Sequence, residues 1–228
     1  MLNNAPIFIT GCARSGTSLV AGIINLSGAA GGDMSGETSS NRKGMFENKI
    51  IREQICKPFL RSIGADVLGQ NPLPEMSKLQ SFSGAFINTW RKRVYAAIGA
   101  KENEFWFYKG AKMCLMWSVW HLAFPKAKWI IVRRDTEKII DSCLKTLFMK
   151  AYSTREGWRG WVQEHEKRFD EMRKNNLNIT EIWAQNIIDE NYSQIKQFVE
   201  GNGLIWDEGK VAEFVSKDLW HFGKEGDR

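Results

Sequence analysis

The sequence predicts an α/β fold in which a parallel sheet is flanked by helices. Three observations carry this reading. Short apolar, β-rich runs alternate with segments of helical period along the whole chain. The first run passes directly into a glycine-bounded turn and then a helix. The strongest run, AKWIIV at 127–132, leads into a helix with apolar residues near every 3.6 positions. With 228 residues the chain can bury a full core, and no repeat or composition break marks a second unit, so a single domain over 1–228 is expected.

The elements follow in order. APIFIT at 5–10 reads as a buried strand ending at Gly11. From Thr17, Leu19, Ile23 and Leu26 recur at helical spacing. Residues 28–44 are rich in glycine and poor in large apolar side chains, the signature of a functional or mobile loop. Ile50, Ile51, Ile55, Phe59, Leu60 and Ile63 mark a helix, and Leu79, Phe82, Phe86, Trp90, Val94 and Ile98 mark another over 78–98. EFWFYK at 104–109 is a second core strand. A helix over 113–124 stops before Pro125, because the residue ahead of a proline is disfavoured in helical geometry. After the 127–132 strand, Asp135 caps a helix carrying Ile139, Ile140, Cys143, Leu144, Leu147 and Phe148. A charged helix at 154–174, a strand at 178–183 and helices near 190–200 and 208–215 complete the chain.

Composition narrows the function classes. Hydrophobic residues at 43% and charged residues at 25% exclude a disordered or fibrous chain. No apolar run approaches the length of a membrane span, and MLNNAPIFIT lacks the basic and apolar regions of a signal peptide. The net charge of +6 suits an anionic partner. The four Cys are widely spaced and no metal-binding spacing of Cys and His occurs, so no metal is expected and the location is read as cytoplasmic.

The turn after the first strand carries the chemistry. Gly11-Cys12-Ala13-Arg14-Ser15-Gly16-Thr17-Ser18 sets two glycines at the GxxxxG spacing of phosphate-cradling loops. Such a turn aims backbone N–H groups and the positive end of a helix at one anion. Ser15, Thr17 and Ser18 add hydroxyls. A phosphoryl-transfer loop of this kind places Lys directly after the second glycine, where this chain has Thr17, and its cation is Arg14 instead. The 129–132 strand ends in Arg133-Arg134 where a metal-binding Asp would serve phosphoryl transfer. Cations at the carboxyl ends of parallel strands suit a multiply charged anion without metal.

PIFITGCARSGTSLVAGIIN resembles the 5′-phosphosulfate loop of sulfotransferases, which use 3′-phosphoadenosine-5′-phosphosulfate (PAPS). Arg14-Ser15-Gly16-Thr17 match the P-[KR]-S-G-T pattern of many members, with Ala13 in place of Pro. KWIIVRRDTEKIIDS is similar to the family's second motif, a strand ending in Arg followed eight residues on by Ser, here Arg134 and Ser142. FWFYKGAKMCLMW, NRKGMFENKIIREQ, STREGWRGWVQEH and EFVSKDLW resemble further family segments more weakly. The R-K-G-x-x-G motif of the cytosolic animal enzymes is absent, which leaves the adenosine contacts unassigned and brings the chain closer to bacterial, phage-type and carbohydrate- or tyrosine-modifying members.

The resemblance implies a P-loop-like three-layer architecture and sulfuryl transfer from PAPS to a hydroxyl or amine acceptor, leaving 3′,5′-adenosine bisphosphate. Arg134 leaves its strand end with Ser142 two turns into the next helix, so both can hold the 3′-phosphate. Arg14 and the loop N–H groups would serve the 5′-phosphate and sulfate. Lys109, at a strand end, adds charge there or is an ordinary solvated lysine. The animal enzymes carry His two residues after that Lys, where this chain has Ala111. Relatives with a Glu after the first helix make Glu47 and Glu37 the candidate bases, Glu47 preferred because a helix start holds a carboxylate more firmly than a loop. His121 reads as a packed or surface imidazole. Trp90, Trp117, Trp129 and Trp183 read as core, and Arg91-Lys92-Arg93 as a solvated helix face. Two other readings compete. One is a P-loop nucleotide kinase or hydrolase, weakened by Thr17 and Arg134. The other is a non-catalytic basic module for nucleotide or nucleic acid, for which no recognition motif appears.

Overall fold

A computed structural model describes residues 5–37 and 43–215. Residues 1–4 of MLNNAPIFIT, the middle of the glycine-rich loop at 38–42 and the chain from 216 on, with the end of EFVSKDLW, lie outside the described residues. Four strands form one sheet: β1 (Ile7–Thr10), β2 (Phe107–Lys109), β3 (Lys128–Arg133) and β4 (Asn178–Trp183). Their spatial order is β2-β1-β3-β4 and every pair is parallel, as the alternation of strands and helices predicts. Every residue of β1 is buried, which is why its sequence is continuously apolar apart from Thr10. Phe8 points to one face of the sheet, and Ile7 and Ile9 point to the other.

Helices cover both faces. Phe8, Tyr108, Trp129 and Ile131 pack under α3 (Gly84–Ile98), α4 (Trp117–Ala123), α5 (Thr136–Lys145) and α6 (Arg155–Lys174). Phe8 sits edge-on to Trp120, Phe124 and Trp129, with ring centroids 5.0 to 5.4 Å away. Such edge-to-face contacts add to the stabilisation from area burial alone. Ile7, Ile9, Phe107, Ile130, Val132 and Ile182 pack under α1 (Thr17–Leu26), α7 (Ala184–Ile188), α8 (Ser193–Gly201) and α9 (Glu208–Phe214). The result is three layers.

Several elements differ from expectation for identifiable reasons. The helix expected from Ile50 begins as a π-helical turn, Ile51–Cys56, before α2 (Lys57–Ser62). The helix expected over 78–98 splits into a 3₁₀ turn, Met76–Leu79, and α3. The break falls where the Ser83 hydroxyl accepts from Phe86 N at 3.2 Å and starts a fresh helix. The helix expected over 113–124 opens as a 3₁₀ segment, Ala111–Met116, before α4. Thr10 accounts for this, because its hydroxyl donates to Gly110 O at 3.1 Å and accepts from Cys114 N at 3.2 Å. Trp183, read as core, is 42% exposed and lies against the Arg133 guanidinium. The described part of the glycine-rich stretch is built, because Met34 pairs antiparallel with Asn48 and Ala30 pairs with Trp106 beside β2.

Candidate active site

The carboxyl ends of β1, β2 and β3 converge on the turn after β1. Gly11 has no room for a side chain: a Cβ there would lie 2.6 Å from Val132 O and 2.7 Å from Ser15 Oγ. Ser15 N donates to Cys12 O at 3.1 Å, which closes the turn. Gly16 is left-handed at φ 99 and precedes α1, where no side chain caps the helix. The Ser15 hydroxyl is buried and has no hydrogen-bond partner among the described residues. A buried donor without a protein partner, in a turn cleared of side chains by glycine, fits a phosphate or sulfate oxygen.

The other loop residues divide into lining and scaffold. Cys12 is buried in the core under α3 to α6, and burial pushes its thiol well above the usual range. Ala13 packs against that core, and Thr17 is buried at the start of α1. The Ser18 hydroxyl, expected to face the ligand, donates instead to Met45 O at 3.3 Å and ties α1 to the segment ahead of Glu47.

Arg134 and Ser142 reach the same place from β3 and α5. Asp135 starts α5 by accepting from Lys138 N at 3.0 Å, which sets Ser142 two turns along on the loop-facing side. Arg134 Nη1 donates to Arg14 O at 2.8 Å, and Arg14 Nε donates to Ser142 Oγ at 2.9 Å. The guanidinium of Arg14 therefore lies with Ser142. Arg133, the neighbour of Arg134, turns the other way and pairs with Glu166 at 2.8 Å.

Lys109 is buried at the end of β2, and it is not a solvated lysine. Burial lowers its pKa, Glu47 opposes that shift, and Lys112, Arg52 and Arg14 add to it. These electrostatic couplings set Lys109 in one field with Glu47 and the loop cation.

Glu47 is buried and Glu37 is exposed. Glu47 does not open a helix as expected. It stands in an extended segment, where its carbonyl accepts from Ser35 N at 2.9 Å. The residue that starts the helical turn is Asn48, whose Oδ1 accepts from Ile51 N at 2.9 Å. The Tyr108 hydroxyl donates to Glu47 Oε1 at 3.5 Å, and Arg52 Nη1 lies 3.9 Å from Oε2. Burial raises the Tyr108 phenol well above its ordinary value, so it stays a donor. Sequence reasoning missed Tyr108 and Arg52, and nothing in their local pattern marks them: both matter only because the fold brings Glu47 opposite.

The profile of a sulfotransferase family matches residues 6–202, which includes every strand and the whole of this site. The chain belongs to that family. Solved sulfotransferases share the fold. The sulfotransferase domain of the Synechococcus PCC 7002 olefin synthase superposes with a TM-score of 0.57 and 17% identity, over 99% of this chain and 82% of that one. Sulfotransferase STF9 from Mycobacterium avium gives 0.56 at 11% identity, over 92% and 67%. STF1 from Mycobacterium tuberculosis gives 0.51 at 13% identity, over 93% and 70%. No curated protein sequence is significantly similar to the chain. Within this sulfotransferase-family chain, no group of His, Cys, Asp and Glu able to hold a metal occurs among the described residues, and no helix there is long and apolar enough to cross a membrane.

Proposed function

We propose that this sulfotransferase takes PAPS as donor and a hydroxyl or amine compound as acceptor. The observation that carries the reading is the meeting of Arg134 and Ser142 at the phosphate-type turn. A cation and a hydroxyl beside such a turn suit a second phosphate, and a 3′-phosphate is what distinguishes PAPS from ATP. PAPS supplies an activated sulfuryl group, and its departure leaves 3′,5′-adenosine bisphosphate.

The chain's own groups divide the work. The turn from Gly11 to Ser18, with the Ser15 hydroxyl, holds the 5′ end. Lys109 sets a dehydrated positive charge where negative charge grows on the leaving oxygen. Glu47 takes the acceptor proton, with its carboxylate oriented by Tyr108 and Arg52. Arg134 and Ser142 hold the 3′-phosphate.

Thermal melting with three ligands tests the donor. Adenosine bisphosphate at a hundred times its dissociation constant should stabilise the fold by about 2.7 kcal/mol. ATP with Mg²⁺ and a short oligonucleotide, at the same concentration, should shift the melting temperature much less. An equal or larger shift with ATP·Mg²⁺ overturns the reading in favour of a nucleotide kinase or hydrolase.

A further inference from the structure

Lys112 is half-buried in the 3₁₀ segment after β2 and has no hydrogen-bond or ion-pair partner among the described residues. Its stem runs along a second turn at Gly69, where a Cβ would lie 2.9 Å from Lys112 Cγ. Its charge reaches the Glu47 side of the site. It helps to lower the pKa of Lys109, and it opposes the burial that pushes the Cys56 thiol up to about 12. Cys56 Sγ in turn lies 3.7 Å from the Tyr108 hydroxyl that donates to Glu47. A cation partly removed from water and left unpaired gains from an anion set against it.

The Gly69 turn and the loop after α5 are locked together, yet they keep large apolar side chains in water. Asp66 accepts from Leu68 N at 3.0 Å and from Gln70 N at 2.9 Å, and Trp161 Nε1 donates to Gly69 O at 3.0 Å. The buried Gln70 amide donates to Phe148 O at 2.7 Å and accepts from Lys150 N at 2.9 Å. On this frame Leu68 is 49% exposed, Phe148 41% and Leu147 87%, while Met149 beside them is buried. Ordered loops that hold apolar groups in water beside an unpaired cation form a surface for an amphiphile.

We propose that the acceptor is an anionic amphiphile, a hydroxyl compound with an acid group close to the hydroxyl and an apolar chain beyond it, and that Lys112 selects it. The inference rests on the PAPS reading above and names the acceptor class of that same site. The hydroxyl meets Glu47, the acid group meets Lys112, and the chain lies over Leu68, Leu147 and Phe148. Transfer gives the sulfate ester of the amphiphile, with the hydroxyl proton on Glu47 and the electron pair of the broken S–O bond on the 5′-phosphate of adenosine bisphosphate.

Calorimetry on protein saturated with 3′,5′-adenosine bisphosphate tests this with 2-hydroxydecanoate, its methyl ester and lactate. Wild type should bind the acid at least about tenfold more tightly than the ester, which lacks the charge, or lactate, which lacks the chain. With labelled PAPS, sulfate should pass to the acid ahead of both. Lys112→Met should weaken the acid by about 10- to 100-fold, the worth of a charge-assisted contact, and leave the ester within about threefold. Leu147→Ser with Phe148→Ser, at exposed positions, should weaken acid and ester alike by about tenfold. Acid and ester bound alike by wild type, or acid bound and never sulfated, overturn the proposal, and these comparisons stand even where Lys112→Met does not fold. An unchanged affinity for the acid in either folded variant overturns it too. Self-association, or binding to phosphatidylglycerol vesicles, that the serine pair abolishes while the acid fails to bind gives the apolar patch to a second copy or a membrane instead. A wild type that does not bind adenosine bisphosphate overturns the PAPS reading, and this inference with it.

Discussion

Ser15 and Glu47 show what single side chains contribute. A buried hydroxyl with no protein partner costs about 1–3 kcal/mol, and Ser15 carries that cost in the ligand-free protein. Ser15→Ala should therefore leave stability in urea unchanged or slightly higher, while weakening adenosine bisphosphate by about tenfold in calorimetry. A clear loss of ligand-free stability would instead make the hydroxyl structural. Glu47 and Glu37 are told apart by rate. Glu47→Gln should slow single-turnover transfer from labelled PAPS by about 10²–10⁴ with bisphosphate binding intact, the usual worth of general base catalysis. Glu37→Gln, at an exposed position, should stay within about twofold. The reverse ranking would move the base into the loop. In the sequence these two carboxylates flank a stretch without periodicity, so nothing local ranks them by burial. Arg134 and Ser142 were picked out by resemblance to a family motif, and the structure sets both against Arg14. Tyr108 was not picked out, since its hydroxyl gains meaning only from Glu47 opposite.

Among the elements, α6 carries a pH sensitivity that its charged sequence conceals. His165 lies within a run of Glu, Lys and Arg, yet it is buried against Trp161 with ring centroids 4.0 Å apart. Its Nδ1 is 2.9 Å from Trp161 O. Burial pulls its pKa down to about 4, the carbonyl of Trp161 and Glu164 oppose the shift, and Arg168 adds to it. The folded chain refuses a proton that the unfolded chain binds below its ordinary value of 6.5. Stability from this group is complete above pH 6.5 and falls as the pH drops from there toward 4. The slope is at most about 1.4 kcal/mol per pH unit. Urea midpoints at pH 7, 6 and 5 should show this decline, and His165→Phe should flatten it. An unchanged slope in that variant would assign the decline to other groups. The stretch at 154–174 was read correctly as a charged helix, but its charge speaks of a solvated face, so the burial of one imidazole within it was invisible. Element boundaries failed for a related reason. The hydroxyls of Ser83 and Thr10 capture backbone groups and reset the helices that follow, and neither changes the apolar spacing on which those helices were read.

Across the whole molecule, strand alternation was enough to predict a parallel sheet with helices on its faces, because only a crossover returns a chain to a parallel neighbour. The order of the strands was not readable, since all are apolar enough for the centre except β4, whose residues other than Ile182 are half-buried or exposed. That order has a consequence for synthesis. β1 lies second in the sheet, between β2 and β3, so Ile7 must wait for Phe107 on one side and Lys128 on the other. At about 5–20 residues per second, a ribosome takes on the order of 5–25 s to supply them. Throughout that interval the nascent chain carries the IFIT segment without its strand partners. A short apolar β-former lacking its neighbours is the kind of edge on which other chains nucleate aggregates. Holdase chaperones that bind such segments would act on this protein at its first strand, before β2 and β3 are available to flank it.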